Sequence, residues 1–261
     1  MIVFRLPALV LLTFACAAFS GCDAAPATAV VPATTANPPV HVATTPVPRE
    51  DGWWVERHAL LNERAAGDDV KLVFLGDSIT QGWEGAGKDV WETAYGDRGA
   101  INLGIGGDRT EHVLWRLENG NLPDSLQPEL VVLMIGTNNT GANTPDEIAD
   151  GVTAIVRTLW LELSKTDILV LSIFPRGKDG EDTRRQVNEG ANERIAKLPE
   201  LFGDDRVRVL DIGERFLEAD GTLSEEIMPD LLHLSPEGYT RWARAIETRV
   251  ANALGERPRS L

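Results

Sequence analysis

Apolar runs recur along the chain from residue 70 onward, at 70–75, 101–103, 130–135, 168–174 and 207–212, each followed directly by glycine or proline. They are rich in β-branched and large aliphatic residues and show little polar alternation. Such runs predict strands buried on both faces, as parallel strands are. Helical patterns lie between them. Residues 109–117 place Val113, Leu114 and Leu117 at i, i+1 and i+4. Residues 145–163 set Ile148, Val152, Ile155 and Leu159 on one stripe behind Pro145, which suits a first turn. Residues 184–198 and 236–254 complete the set. Alternating strand and helix predicts an α/β fold with a doubly wound parallel sheet, whose ligands bind at the carboxyl ends of the strands. The conspicuous polar and glycine residues gather there. Gly76-Asp77-Ser78 follows the first run, Gly106-Gly107-Asp108 the second, and Gly136-Thr137-Asn138-Asn139 the third.

The first fifty residues follow another pattern. Arg5 precedes an apolar stretch over 6–19, too short for a membrane span, and residues 1–21 read as a signal peptide. The stretch ends in Phe19-Ser20-Gly21-Cys22, which resembles the lipobox of bacterial lipoproteins except that Phe19 replaces the usual aliphatic residue. Lipidation at Cys22 is one reading, and ordinary cleavage near Ala15-Cys16-Ala17 is the other. Residues 22–50, rich in Ala, Pro and Thr, predict an extended tether, which leaves 51–261 as the folded domain. The protein is therefore expected to be exported to the periplasm or cell envelope, touching a membrane only through such an anchor.

Charge narrows the partners. The chain of 261 residues carries a formal net charge of −15, and Arg5 and Arg49 cancel Asp23 and Glu50, so the excess lies in 51–261. Such a surface repels phosphate backbones and excludes nucleic acid as a partner. The two cysteines, Cys16 and Cys22, both precede the domain, so it has no disulfide, thiol nucleophile or cysteine metal site.

The loops carry the chemistry of acyl transfer, which needs a nucleophile, a base and donors for an oxyanion. Ser78, directly after a strand and glycine, reads either as nucleophile or as a helix N-cap. A base working near neutral pH must be one of four histidines. His41 falls in the tether, His58 precedes the first strand and His112 sits in an amphipathic helix, which leaves His233. Asp230, three residues earlier, can reach its Nδ1 within one turn, although a surface capping pair has the same spacing. The N–H groups of Gly107 and Ser78 and the amide of Asn138 are the candidate oxyanion donors. Gly107 and Asn138 also read as ordinary turn residues.

These blocks, Gly76-Asp77-Ser78, Gly107, Gly136-Thr137-Asn138 and Asp230-Leu231-Leu232-His233, resemble in order those of the SGNH (GDSL-type) hydrolase family. Within it, Asn102-Leu103-Gly104-Ile105-Gly106-Gly107-Asp108 and His112-Val113-Leu114-Trp115-Arg116-Leu117-Glu118-Asn119-Gly120 look like the catalytic-subunit branch of platelet-activating-factor acetylhydrolase. The resemblance implies a flavodoxin-like three-layer α/β/α sandwich with a five-stranded parallel sheet and no cofactor. It implies a serine esterase whose name-giving residues are Ser78, Gly107, Asn138 and His233. Ile79 and Leu232 match positions that line a small acyl pocket in that branch, which favours acetyl groups. The substrate stays open between an acetylated glycan and a lipid, and the oligomeric state is unspecified.

Two other functions fit parts of the pattern. Asp77, Asp108, Asp230 and His233 could serve a metal-dependent phosphoesterase, which the negative charge and the scarcity of histidine disfavour, so no metal is expected. A silent tethered binding protein would not need the complete set. Trp91, Trp115 and Trp160 sit in helical segments and are expected in the core, whereas Trp53 and Trp54 could pack on the domain edge or touch substrate.

Overall fold

The computed structural model describes residues 37–261. Its strands are β1 (Leu72–Gly76), β2 (Ala100–Gly104), β3 (Leu130–Met134), β4 (Asp167–Leu171) and β5 (Val207–Leu210). Its helices are α1 (Gly52–Ala65), α2 (Ser78–Gln81), α3 (Lys88–Tyr95), α4 (Thr110–Arg116), α5 (Pro145–Glu162), α6 (Thr183–Ile195), α7 (Leu198–Phe202) and α8 (Pro236–Ala253). The five apolar runs are the five strands. They form one parallel sheet in the order β2-β1-β3-β4-β5, with Val73 beside both Ile101 and Val131. The sheet order turns between β1 and β3, the place where such folds bind ligands.

Side chains alternate across each strand. Val73, Leu75, Val131 and Leu133 join one core with α1, α4, α5, α6 and α7, while Leu72, Phe74, Val132 and Met134 join another with α3 and α8. Burying each large aliphatic side chain is worth ~1.5–3 kcal/mol. The buried stripe of α5, Ile148, Val152, Ile155, Val156 and Leu159, therefore outweighs its cap. In that cap Thr144 Oγ1 accepts from the Glu147 N–H at 3.3 Å and Glu147 Oε2 accepts from the Thr144 N–H at 2.9 Å. A cap of this kind contributes ~1 kcal/mol.

Three features depart from the sequence pattern. The single helix expected over 184–198 breaks into α6 and α7, because Pro199 in the first turn of α7 lacks the N–H that would extend α6. An additional helix, α1, buries Trp54, His58, Leu61 and Ala65, and His58 in that stripe conceals its apolar face from a hydrophobic reading. His58 stacks on Trp54 with ring centroids 5.4 Å apart. Finally, the end of the expected tether is packed rather than extended. Ala43 is fully buried, its carbonyl accepts from Thr110 Oγ1 at 2.8 Å, and the Val47 N–H donates to Glu111 O at 3.2 Å. Residues 41–50 thus belong to the folded unit, because the small side chain of Ala43 lets the strap approach α4 and α5 closely. The expected signal peptide and Cys22 lie outside the described residues. Among the described residues no helix is long and apolar enough to cross a membrane.

His112 is a packing residue whose Nδ1 accepts from the Arg109 N–H at 3.0 Å. Burial pushes its pKa down from 6.5 to about 4, and Arg109, Arg49 and Arg116 push the same way. The unfolded chain then takes up this proton before the folded one, so stability falls as pH drops from 6.5 to about 4. His112→Gln keeps an acceptor at this capping position and removes the titration. Thermal melts should show the variant losing less Tm than the wild type across that window; equal slopes would contradict the assignment.

Candidate active site

The turn from β1 into α2 presents Ser78, the candidate nucleophile. A Cβ at Gly76 would collide with Met134 O and Thr80 Oγ1, so only glycine permits this turn. Asp77 caps α2, its Oδ1 accepting from the Ile79 N–H at 2.9 Å. The cap role is therefore filled by Asp77, and Ser78, half-buried at the first helical position, is left free to face the cleft. Asp77 itself is fully buried. Burial pushes its carboxyl up to about 7, the Ile79 N–H and His233 pull the other way, and the nearby Asp108 adds to the rise.

The other half of the site comes from the loop before α8. Ser78 Oγ lies 2.8 Å from His233 Nε2 although the residues are 155 positions apart. Asp230 Oδ2 lies 2.7 Å from His233 Nδ1, and Asp230 Oδ1 accepts from the backbone N–H groups of His233 at 2.7 Å and Leu232 at 3.1 Å. Partial burial raises the Asp230 pKa, but hydrogen bonds from the His233 ring and backbone outweigh it and hold the carboxyl below its ordinary value. An ionised carboxylate only accepts, so Nδ1 carries the proton and Nε2 is free to accept from Ser78. Leu231 supports this loop at φ +59°, a left-handed conformation costing a non-glycine residue ~1–3 kcal/mol. Its carbonyl is held by the Gly177 N–H at 2.9 Å.

The expected oxyanion donors lie on adjacent loops. Gly107 has φ +75° and is exposed, and among the described residues neither its N–H nor that of Ser78 meets an acceptor. Asn138 Nδ2 donates to Asp108 O at 2.9 Å and lies 3.5 Å from Asp77 Oδ2, within reach of the residues flanking both Gly107 and Ser78. Both of its N–H groups are thus directed at protein oxygens, and the long contact to Asp77 is the one that a ligand oxygen would displace. Of the two acyl-pocket candidates, Leu232 is half-buried beside His233 and keeps free surface. Ile79 is 1% exposed and packs into the α3–α8 core.

Several residues outside the Ser78, Asn138 and Asp230–His233 blocks also shape the site. The Asp108 carboxylate is fully buried, with Oδ1 accepting from Trp54 Nε1 at 2.7 Å and Oδ2 from Arg116 Nε at 2.8 Å. Arg116 also donates to Leu103 O at 2.9 Å, Gly76 O at 3.2 Å and Asn121 Oδ1. One guanidinium therefore clamps the ends of β1 and β2 to the Gly107 loop. Gln81 Oε1 accepts from the Gly106 N–H at 2.7 Å. Arg176, half-buried, donates to Thr137 O at 3.2 Å and sets positive charge opposite Asp77 and Asp230. Asp108 and Arg116 lie in the blocks that carry the family resemblance, whereas nothing in the sequence pointed to Gln81 or Arg176. Trp115 and Trp160 pack against the α1–α5 core and Trp91 against the α3–α8 core, while Trp54 is buried on Asp108.

With Asp108 engaged by Trp54 and Arg116, the metal-binding reading of Asp77, Asp108, Asp230 and His233 loses a ligand. No cluster of three or more His, Cys, Asp or Glu side chains is placed to hold a metal ion among the described residues.

Comparison with known proteins agrees with this geometry. The GDSL-like lipase/acylhydrolase family model matches residues 74–241. The chain is 35% identical over 221 residues to platelet-activating factor acetylhydrolase IB subunit alpha1 of Homo sapiens, covering 82% of this chain and 91% of that one. It is 34% identical to the alpha2 subunit of Gallus gallus, covering 80% and 88%. Among solved structures, a GDSL-like lipase of Bacteroides thetaiotaomicron superposes with a TM-score of 0.60 at 21% identity, covering 76% of this chain and 97% of that one. An acetylxylan esterase of Geobacillus stearothermophilus superposes with a TM-score of 0.57 at 20% identity, covering 76% and 100%. Those two likenesses speak for the fold, a five-stranded parallel sheet between helical layers. By sequence and by family model together, the chain belongs to the GDSL-like lipase/acylhydrolase family and is an ester hydrolase.

Proposed function

We propose that the protein hydrolyses short-chain acyl esters, acetyl above all, through a Ser78–His233–Asp230 triad and an acyl-enzyme intermediate. The observation that carries this reading is the continuous line Ser78 Oγ, His233 Nε2, His233 Nδ1, Asp230 Oδ2, with contacts of 2.8 and 2.7 Å. Ser78 Oγ attacks the carbonyl carbon while its proton passes to His233 Nε2. The carbonyl oxygen becomes an oxyanion, accepting from the N–H groups of Ser78 and Gly107 and from Asn138 Nδ2. Removing one such donor typically costs ~3 kcal/mol of transition-state stabilisation. The tetrahedral adduct collapses, His233 returns its proton to the departing alkoxide, and the acyl group remains on Ser78 Oγ. Water, deprotonated by His233, then attacks the acyl-enzyme and releases the acid. Asp230 holds the tautomer and stabilises the imidazolium.

The preference for short acyl groups is supported by Leu232, whose bulk stands next to the base. It is further supported by the names of an acetylhydrolase and an acetylxylan esterase among the similar proteins. The export address, with Cys22 as its lipid anchor, is supported by the order of charge, apolar run and small residues before that cysteine.

Two measurements test the reading. With p-nitrophenyl esters of increasing chain length, kcat/KM should peak at the shortest acyl groups; a best substrate of about eight carbons or more would refute the acyl preference. Activity should survive EDTA and be abolished by an organophosphate. The reverse pattern would transfer the chemistry to a metal-dependent phosphoesterase.

A further inference from the structure

Trp53 stands at the mouth of the site and has no part in the steps above. Neighbours on a helix point about 100° apart, and here Trp54 turns inward to Asp108 whereas Trp53 turns outward and is 49% exposed. A single exposed indole is ordinary on a protein surface. Two observations distinguish this one. The first is its place. A Cβ at Gly106 would lie 3.8 Å from Ser78 Cβ and 4.0 Å from Trp53 Cη2. Gln81 Oε1 would lie nearer still, at 3.3 Å, so the indole, Gln81 and Ser78 all meet at the same glycine. The second is its fixation. The Arg49 guanidinium lies 5.0 Å from the indole centroid. Its NH1 donates to Gly106 O at 2.8 Å, and its Nε and NH2 donate to Asp51 Oδ2 at 3.0 and 2.8 Å. Arg49 covers one face of the ring and ties it to the loop that carries Gly107. A ring held in this way has little freedom to lose on binding.

We propose that Trp53 is a binding platform for the alcohol part of the ester and that this part is a pyranose ring, an inference that rests on the esterase reading of Ser78. A pyranose offers a flat C–H face for the free face of the indole and hydroxyl groups around its rim. Polar groups stand near the platform: Arg49 over the ring, Asp51 bonded to Arg49, and Gln81 bonded to Gly106. An acyl or alkyl chain would instead call for a continuous apolar groove, which charged neighbours interrupt. A quaternary ammonium headgroup seeks the negative face of an aromatic ring, and here Arg49 already places a positive charge against that ring.

The test uses the full chain and two esters carrying three acetyl groups each, methyl tri-O-acetyl-xylopyranoside and acyclic glycerol triacetate. The wild type should favour the pyranoside in kcat/KM by about tenfold, the order expected for one stacked ring. Trp53→Ala should erase that preference, chiefly through KM, and Trp53→Phe should retain most of it. Equal loss on both esters would make Trp53 a support for the Gly106–Gly107 loop and overturn the proposal. An unchanged preference would overturn it too, as would a Trp53-dependent preference for an acetylated phospholipid over both esters. Binding separates this proposal from the one beneath it. Calorimetric titration of Ser78→Ala with the pyranoside should show Kd rising about tenfold when Trp53→Ala is added, whether or not the wild type turns the ester over. Turnover of neither ester by the wild type would refute the esterase reading, and a Kd indifferent to Trp53 would refute the platform.

Discussion

Ser78→Ala is expected to lower kcat for p-nitrophenyl acetate by at least about 1000-fold while leaving the thermal melt close to that of the wild type. The size follows from what the substitution removes. Without Oγ there is no acyl-enzyme, and hydrolysis must use a water that the site was not built to hold. The donors of Ser78 N–H, Gly107 and Asn138 stay in place, so some acceleration over water remains. A factor of 1000 corresponds to about 4 kcal/mol of barrier, more than one oxyanion donor typically supplies. Stability should change little, because the hydroxyl is half-buried and the α2 cap belongs to Asp77. Stopped-flow or steady-state kinetics decide the matter. A variant retaining a few per cent of wild-type activity would mean that the 2.8 Å contact between Ser78 and His233 is incidental.

Arg116→Leu should be the most destabilising single change around the site. Arg116 and Asp108 have no side-chain exposure, and besides Asp108 the arginine reaches three further acceptors, Leu103 O, Gly76 O and Asn121. Removing one partner of a buried ion pair typically costs ~3–5 kcal/mol, because the other charge is left without compensation. For a domain of this size that corresponds to a fall in Tm of roughly 6–20 °C. Asp108 is already drawn toward the neutral form, since burial raises its carboxyl above the ordinary value against the pull of Arg116 and Trp54. Asp108→Asn keeps a single acceptor oxygen and turns its NH2 toward either Trp54 Nε1 or Arg116 Nε, so it should be destabilising as well. Kinetics should respond as well. The carbonyl of Asp108 holds Asn138, and its side chain seats the Gly107 turn, so surviving Arg116→Leu protein should lose kcat more than KM. A melt within 2 °C of wild type, roughly 1 kcal/mol or less, would show that the pair contributes little.

These two sites differ in how visible they were along the chain. Gly76-Asp77-Ser78 and Asp230-Leu231-Leu232-His233 announce themselves, because a turn residue and a candidate nucleophile, and a candidate base with its carboxylate, each lie within a few positions. Arg116 does not. In the sequence it lies in the block 112–120 that carries the family resemblance, yet nothing local says that its charge will be buried against Asp108. The same holds for Trp53 and Arg49, whose value depends on a strap that the proline-rich composition of 22–50 disguised as tether. Ala43 buries into α4 and α5 through contacts 67 and more positions away, and that packing turns the strap toward Gly106.

The order of apolar runs and turns by itself determined the class of fold, the ends of the strands where chemistry would gather, and the residue types available there. Periodicity and turn chemistry are local properties, so a few neighbouring positions suffice to express them. Only the tertiary structure decided which of those residues meet. The strand order brought His233 to Ser78, left the cap to Asp77, closed Arg116 over Asp108 and set Trp53 and Ser78 on either side of Gly106. Those choices depend on burial and on partners far apart in the chain, for which hydrophobic period carries no address.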